Sequence, residues 1–303
     1  ISLAENTDDL LVGKTLLHGD VLTLQMKTLL TSGCTNRRGA GQFLADPMNS
    51  DSSSLALPDV ISIQSQVIRG CVGNSIAQPA LTRYGHDVLA VPTCILSHTP
   101  DGQNIYGGEL PDSWFAGFLS DISDRGLDGG LRAVVTGFLG TPAKAAVLKQ
   151  WLTRCITRHP DLLVVMDPVL GDKDTGYYVD PALTEWYRAQ LTPLATGLTP
   201  NLFELECLSG RALQSRDEVV SAARSLLQGR TQWVTVTSAD DCGDNVTVSV
   251  LVVTRCGFSQ IRHDFYTGAP KGTGDLFTAE LTAALLRGAP ACSSLLCLME
   301  DEG

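Results

Sequence analysis

Ala269-Pro270-Lys271-Gly272-Thr273-Gly274-Asp275-Leu276-Phe277-Thr278-Ala279-Glu280-Leu281 decides how this chain is read. Two glycines flank a threonine, an aspartate follows, and an apolar run of helical character comes next. Upstream, Val246 to Thr254 reads as a strand. Glycine lets bare backbone approach a ligand, and the first N–H groups of the following helix have no partner inside it. Such a turn favours an anion, phosphate above all. A carboxylate repels phosphate, so Asp275 makes chemical sense if it faces a hydroxyl that loses its proton while attacking a phosphoryl group. Positioning plus such a base is most of what phosphoryl transfer asks of a protein. The competing reading makes Asp275 an ordinary helix cap, since Asp is common there.

Working outward, Val60–Ile63, Asp87–Val91, Leu131–Thr136, Leu162–Met166 and Trp233–Thr237 are strand candidates. Several are continuously apolar, as strands buried on both faces are. Between them lie helical patterns. Thr141-Pro142 is an N-cap followed by a first-turn proline, and Val147/Leu148, Trp151/Leu152 and Cys155/Ile156 then recur at helical spacing. Val219–Leu227 is a second such helix. Alternating strands and helices predict an α/β fold with a largely parallel sheet covered on both faces. Ligands gather beyond the carboxyl ends of such strands.

The chain has 303 residues, 44% of them hydrophobic, and a net charge of −11. The acidic balance argues against nucleic acid as a partner. No apolar run is long enough for a membrane span. The nine cysteines show no Cys-x-x-Cys or zinc-ligand spacing, which fits reduced thiols in a cytoplasmic protein. Residues 1–57 read as a flexible N-terminal extension without assigned chemistry. The Gly13-Lys14-Thr15 triplet lacks the glycine that a P-loop requires five positions earlier, where Asp8 stands. Residues 58–303 form the main domain.

Polar clusters sit at the strand ends. Gln64-Ser65-Gln66 and Gly70-Cys71-Val72-Gly73-Asn74 follow the first strand, and Ser65 could bond a polar substrate or simply turn the chain. Ser97-His98-Thr99-Pro100-Asp101 and Tyr106-Gly107-Gly108 follow the second. Asp167-Pro168-Val169-Leu170-Gly171-Asp172 offers carboxylates for a hard cation, although both acids also suit ordinary turns. Tyr177-Tyr178 supplies rings that can stack on a heterocycle. In Thr199-Pro200-Asn201-Leu202-Phe203-Glu204 a capping box is the simpler reading, with Gly210 ending the helix; a metal role for Glu204 is the other. Thr237-Ser238 offers hydroxyls to a phosphate or ribose.

Taken in order, Ser62-Ile63-Gln64-Ser65, Gly70 to Asn74, Asp167 to Asp172, Thr199 to Glu204, Thr237-Ser238 and Gly272-Thr273-Gly274-Asp275 closely resemble pyridoxal kinases of the ribokinase-like superfamily. The match runs from about Asp59 to about Gly288, and Val91-Pro92-Thr93 with Tyr106-Gly107-Gly108 looks most like the bacterial branch. The resemblance implies a ribokinase-like fold, a homodimer, ATP as co-substrate, Mg²⁺ and often K⁺, and phosphorylation of the 5′-hydroxyl of pyridoxal, pyridoxine and pyridoxamine. It implies that Asp275 is the base and that Gly272, Thr273 and Gly274 form the anion hole. It assigns Ser65 and Asp101 to the substrate pocket, and Asp167, Tyr178, Thr199, Glu204, Thr237 and Thr273 to the ATP side. Glu204, Asp167 and Asp172 become candidate metal ligands. Lys271, beside the anion hole, is expected to steady phosphate or to form a Schiff base with an aldehyde product. Residues 289–303 are shorter than, and unlike, the final helices of that family. Alternative readings are a hydroxymethylpyrimidine kinase and a non-catalytic pyridoxal-phosphate binding protein.

Overall fold

The computed structural model describes residues 57–100, 104–239, 247–264 and 270–288. The expectations for residues 1–56, for Asp101 and for 289–303 lie outside the described residues.

The first parallel strands are β1 (Val60–Arg69), β2 (Val88–His98), β4 (Ala133–Thr136) and β5 (Leu163–Met166). β8 (Gly197–Leu198) and β9 (Trp233–Val236) complete the parallel set. With β3 (Gly107–Glu109), β10 (Thr247–Thr254) and β11 (Phe258–Asp264) they form one sheet, ordered β11-β10-β9-β8-β5-β4-β1-β2-β3. β3 pairs antiparallel with β2 at one edge, and β10 and β11 are antiparallel at the other. A separate hairpin joins β6 (Gly171–Asp172) to β7 (Gly176–Tyr177).

Period-two alternation decides which side chains face which layer. Ile61, Ile63, Val134, Val164 and Met166 point to one core. There they meet α2 (Asp112–Asp124), α3 (Pro142–Arg158), α4 (Ala182–Trp186), α5 (Leu202–Ser209) and α6 (Arg216–Ser225). Their neighbours Val60, Ala133 and Val135 point the other way. On that face lie α1 (Asn74–Arg83) and α7 (Thr273–Leu286), packed through Ile76, Ala77, Leu81, Leu276, Ala279 and Ala283. The caps read from sequence are in place. Thr141 accepts the Lys144 N–H, Asn201 and Glu204 form a reciprocal capping box, and Gly210 closes α5 at φ 67°.

The chain leaves β1 toward β2 on one side and later places β4 on the other. Crevices for ligands open at the carboxyl ends of strands where the order reverses in this way. Two local differences from the sequence reading matter here. β1 continues past Ile63 to Arg69, because pairing with β2 persists after β4 ends, so Ser65 lies in the strand. The register shifts between Gln64 and Gln66, a bulge that re-aims the side chain between them. Helices α1 and α2, the short β8, and β3 and β11 were not anticipated. Cys94, Cys155, Cys207 and Cys256 carry free thiols, but Cys71 is disulfide-bonded, which departs from the expectation of reduced cysteines. Among the described residues no helix is long and apolar enough to cross a membrane.

Candidate active site

Helix α7 begins at the glycine-rich turn. Gly272 is its N-cap at φ 100°, a left-handed conformation that suits glycine. A Cβ placed there would lie 1.7 Å from the Cys71 carbonyl oxygen, so the turn is seated directly on the 70–73 loop. Asp275 is in the first turn of α7 but does not cap it. Its Oδ2 instead accepts the Gly73 N–H at 2.9 Å, across 202 residues of sequence. Gly73, at φ 55°, is the N-cap of α1, and a Cβ on it would stand 2.5 Å from Ser65 Oγ. One backbone unit therefore touches both the proposed base and the proposed substrate ligand. The cap interpretation of Asp275 is not what the structure shows.

Asp167 follows β5, and its Oδ2 would be 3.8 Å from a Cβ on Gly274, so it lines the same cradle. Burial raises the Asp167 carboxyl well above the usual range, with Glu204 and Asp275 adding to the effect. Burial pushes Glu204 up to about 8, against the backbone N–H groups of Asn201, Leu170 and Gly171 and with help from Asp275. Burial pushes Asp275 up to about 6, against the Gly73 N–H. Three acids thus share a desolvated corner, and no cationic side chain is among the causes acting on them. That corner fits a cation. Among the described residues, however, no group of three or more His, Cys, Asp or Glu is placed to hold a metal by itself. Mg²⁺ is commonly held by one or two carboxylates, water and substrate phosphates, and Asp167 with Glu204 suits that mode.

The same acids set a pH dependence of stability. Glu204 and Asp275 have folded-state values above their ordinary 4.5 and 3.8. Their contribution is fully present below the ordinary values and is lost as pH rises through about 6 and about 8. Ligand-free protein should therefore melt lower at alkaline than at mildly acidic pH. Replacing Glu204 with Gln should flatten that slope across the upper part of the range. Equal slopes in wild type and Glu204→Gln, read by calorimetry, would show that the cluster does not carry the effect.

The remaining expected residues divide into two groups. Thr237 donates its N–H to Pro200 O and bridges to Asn201, so the ends of β8 and β9 meet beside Glu204. Tyr178 is exposed, with its N–H on Leu170 O and its ring 5.5 Å from Lys271 Nζ. These stay with the candidate nucleotide side. The side chains of Thr199 and Asp172 also bond within the protein. The Thr199 side chain is buried, and its hydroxyl pairs with Thr278 Oγ1 at 2.8 Å, pinning α7 to the end of β8 rather than facing the cleft. Asp172 Oδ1 accepts the Asp174 and Thr175 N–H groups and the Thr175 hydroxyl, so this carboxylate shapes its own hairpin.

Two contributors stood in the sequence reading only as part of the Gly70 to Asn74 stretch, with no role of their own. Gly73 orients Asp275, and its only signal was the Gly-x-x-Gly spacing with Gly70. Asn74 donates to Gln64 O and Val91 O, tying the start of α1 to β1 and β2. Nothing in the sequence separates that asparagine from a surface one.

Comparison with known proteins shows the family. The family model described as phosphomethylpyrimidine kinase matches residues 110–295. A pyridoxine/pyridoxal/pyridoxamine kinase from Bordetella bronchiseptica is 47% identical over 237 residues, which cover 78% of this chain and 84% of that protein. Pyridoxal kinase PdxY from Rubrobacter xylanophilus is 33% identical over 76% of this chain and 80% of its own length. Among solved structures, pyridoxal kinase from Leishmania donovani in complex with ADP and pyridoxamine superposes with a TM-score of 0.70 at 27% identity, covering 75% of this chain and 82% of that one. A glycine cradle, its buried acids and a mostly parallel sheet occur here in a chain of that similarity and coverage: it belongs to the pyridoxine/pyridoxal/pyridoxamine kinase family.

Proposed function

We propose that this chain transfers the terminal phosphoryl group of ATP to the 5′-hydroxyl of pyridoxal, pyridoxine and pyridoxamine, with Asp275 as the base. The observation that carries the reading is the Gly73 N–H held on Asp275 while Gly73 abuts Ser65. A substrate bonded to Ser65 has its hydroxymethyl arm within the territory of the carboxylate. Asp275 takes the proton as the alcohol oxygen attacks phosphorus. The N–H groups of Gly272, Thr273 and Gly274 meet the charge that builds on the transferring group. Lys271, exposed at the rim, adds a point charge for the nucleotide phosphates. Tyr178 and Thr237 border the nucleotide. When bound, Mg²⁺ neutralises phosphate charge, and Asp167 and Glu204 are the residues that would hold it. Asp167 and Asp172 are the residues that would serve K⁺.

The proposal includes a homodimer and a cytoplasmic location, where ATP is supplied. The dimer is supported by an apolar surface around the β3 edge, where Tyr106 is 77% and Trp114 59% exposed, with Phe118 beside them on α2. The N-terminal 1–57 extension and the 58–303 kinase domain remain the proposed division. The phosphomethylpyrimidine description of the matching family model favours one second reading, a hydroxymethylpyrimidine kinase. A product assay with ATP and Mg²⁺ on the three B6 alcohols and on hydroxymethylpyrimidine separates the two. The expected result is a higher kcat/KM for a B6 vitamer. Preference for the pyrimidine transfers the assignment, and vitamer binding without product returns the chain to a binding protein.

A further inference from the structure

Helices α1 and α7 both start at the cradle. Gly73 caps α1 and holds Asp275, which sits in the first turn of α7. The Gly73–Asp275 bond is therefore a bond between two helices, and its geometry depends on how they are aligned. The apolar contact between them mixes the small Ala77, Ala80, Ala279 and Ala283 with the larger Ile76, Leu81 and Leu276. The alanines let the two helices approach closely, and apolar contact carries no directional preference of its own.

At the far end of α1 a polar clamp adds the directional bonds that apolar packing lacks. Glu280 is only 6% exposed although it is an acidic side chain. Its Oε2 accepts the Tyr84 hydroxyl at 2.6 Å, and its Oε1 accepts Arg83 NH2 at 3.2 Å. Arg287, just beyond α7, stacks on the Tyr84 ring with its guanidinium carbon 4.1 Å from the centroid, and Arg83 lies 5.1 Å from the same centroid. Arg83 is the last residue of α1, and Tyr84 is its C-cap. Glu280 stands about 7.5 Å along the axis of α7 from Asp275, at ~1.5 Å of rise per residue. It touches neither the cradle nor Gly73.

We propose that Glu280, acting with Tyr84 and Arg83, is a positioning residue for phosphoryl transfer: it fixes the alignment of α7 on α1 and thereby holds Asp275 against Gly73. The inference rests on the reading of Asp275 as the base. A buried carboxylate with both oxygens bonded to the partner helix has two preferred partners, and sliding either helix breaks both bonds. Losing a buried hydrogen bond to a charged group is costly, so the alignment is held at a narrow minimum. The Thr199–Thr278 hydroxyl pair fixes α7 to the sheet, whereas the Glu280 clamp fixes it to α1.

The test compares wild type, Glu280→Ala, Glu280→Gln and Tyr84→Phe, and adds Glu280→Ala to an Asp275→Ala background. Assays are run well below each melting temperature. Glu280→Ala is expected to lower kcat about tenfold or more, since small misplacements of a catalytic group carry losses of this order. KM for ATP and for the vitamer should stay within about twofold, because ground-state contacts are untouched. Glu280→Gln, whose amide oxygen still accepts the Tyr84 hydroxyl, should recover most of the rate. In the Asp275→Ala background the Glu280 change should cost nothing further, because residues acting as a unit are non-additive. An unchanged kcat with a lowered melting temperature makes Glu280 merely structural and overturns the inference. So does an equal loss in both backgrounds. If Glu280→Ala does not fold, Tyr84→Phe decides: a kcat loss with KM held supports the inference, and wild-type kcat overturns it. Full turnover in Asp275→Ala is a different failure, because it removes the base and the inference with it.

Discussion

Asp275→Ala should lower kcat by about 10²–10⁴-fold, the usual worth of a positioned general base. The substitution removes the acceptor for the hydroxyl proton and leaves the cradle glycines in place. It also relieves a desolvated carboxylate that burial has pushed up to about 6. The variant is therefore expected to be no less stable than wild type near neutral pH. ATP affinity should hold or improve, because a negative charge beside the phosphates is gone. A rate loss with binding intact marks an interaction made in the transition state. If kcat and ATP affinity fell together, Asp275 would be supporting the fold of the turn instead. The Gly73 N–H would be left without its acceptor, but Gly73 lies at a helix start, where water can replace it.

Gly272→Ala carries the second large effect, through backbone rather than charge. At φ 100° an alanine is strained by about 1–3 kcal/mol. Its Cβ would also overlap the Cys71 carbonyl oxygen at 1.7 Å, a backbone atom that cannot rotate away. Either the glycine turn or the 70–73 loop must move, and that loop carries the Gly73 N–H on Asp275. The expected result is a kcat/KM for ATP reduced about a hundredfold, in line with an ångström-scale misplacement, together with a lower melting temperature. Gly274 is the control. A Cβ on it meets nothing nearer than Asp167 Oδ2 at 3.8 Å, so Gly274→Ala should fold normally. Wild-type activity in Gly272→Ala would mean that the turn has slack the structure does not show.

Much of this was legible beforehand, and the reasons are physical. The apolar runs at Leu131–Thr136 and Leu162–Met166 became β4 and β5 because only buried parallel strands are apolar on both faces. Thr141-Pro142 and Asn201 with Glu204 were readable because caps are local chemistry, set within four residues. The cradle was readable because glycine spacing next to a helix start has few other uses. What escaped depends on partners distant in sequence. Thr199 and Asp172 occupy suggestive positions, but Thr278 and the hairpin turn claim their polar atoms. β8 pairs on both sides through only Gly197 and Leu198, which is too short for a period to register. Helix α1 carries Pro79 inside it, which masks its pattern. Glu280 drew no reading from the sequence, because its partners Tyr84 and Arg83 stand 196 and 197 residues away.

The most direct measurement is the single-turnover rate of pyridoxal phosphate formation across pH, taken on wild type and Asp275→Asn side by side with saturating ATP and Mg²⁺. With Asp275 as the base, the wild-type rate falls as pH drops through about 6, and the slow asparagine variant loses that acid limb. A variant that keeps the wild-type limb, or turns over at the wild-type rate, would place the proton acceptor elsewhere and contradict the account.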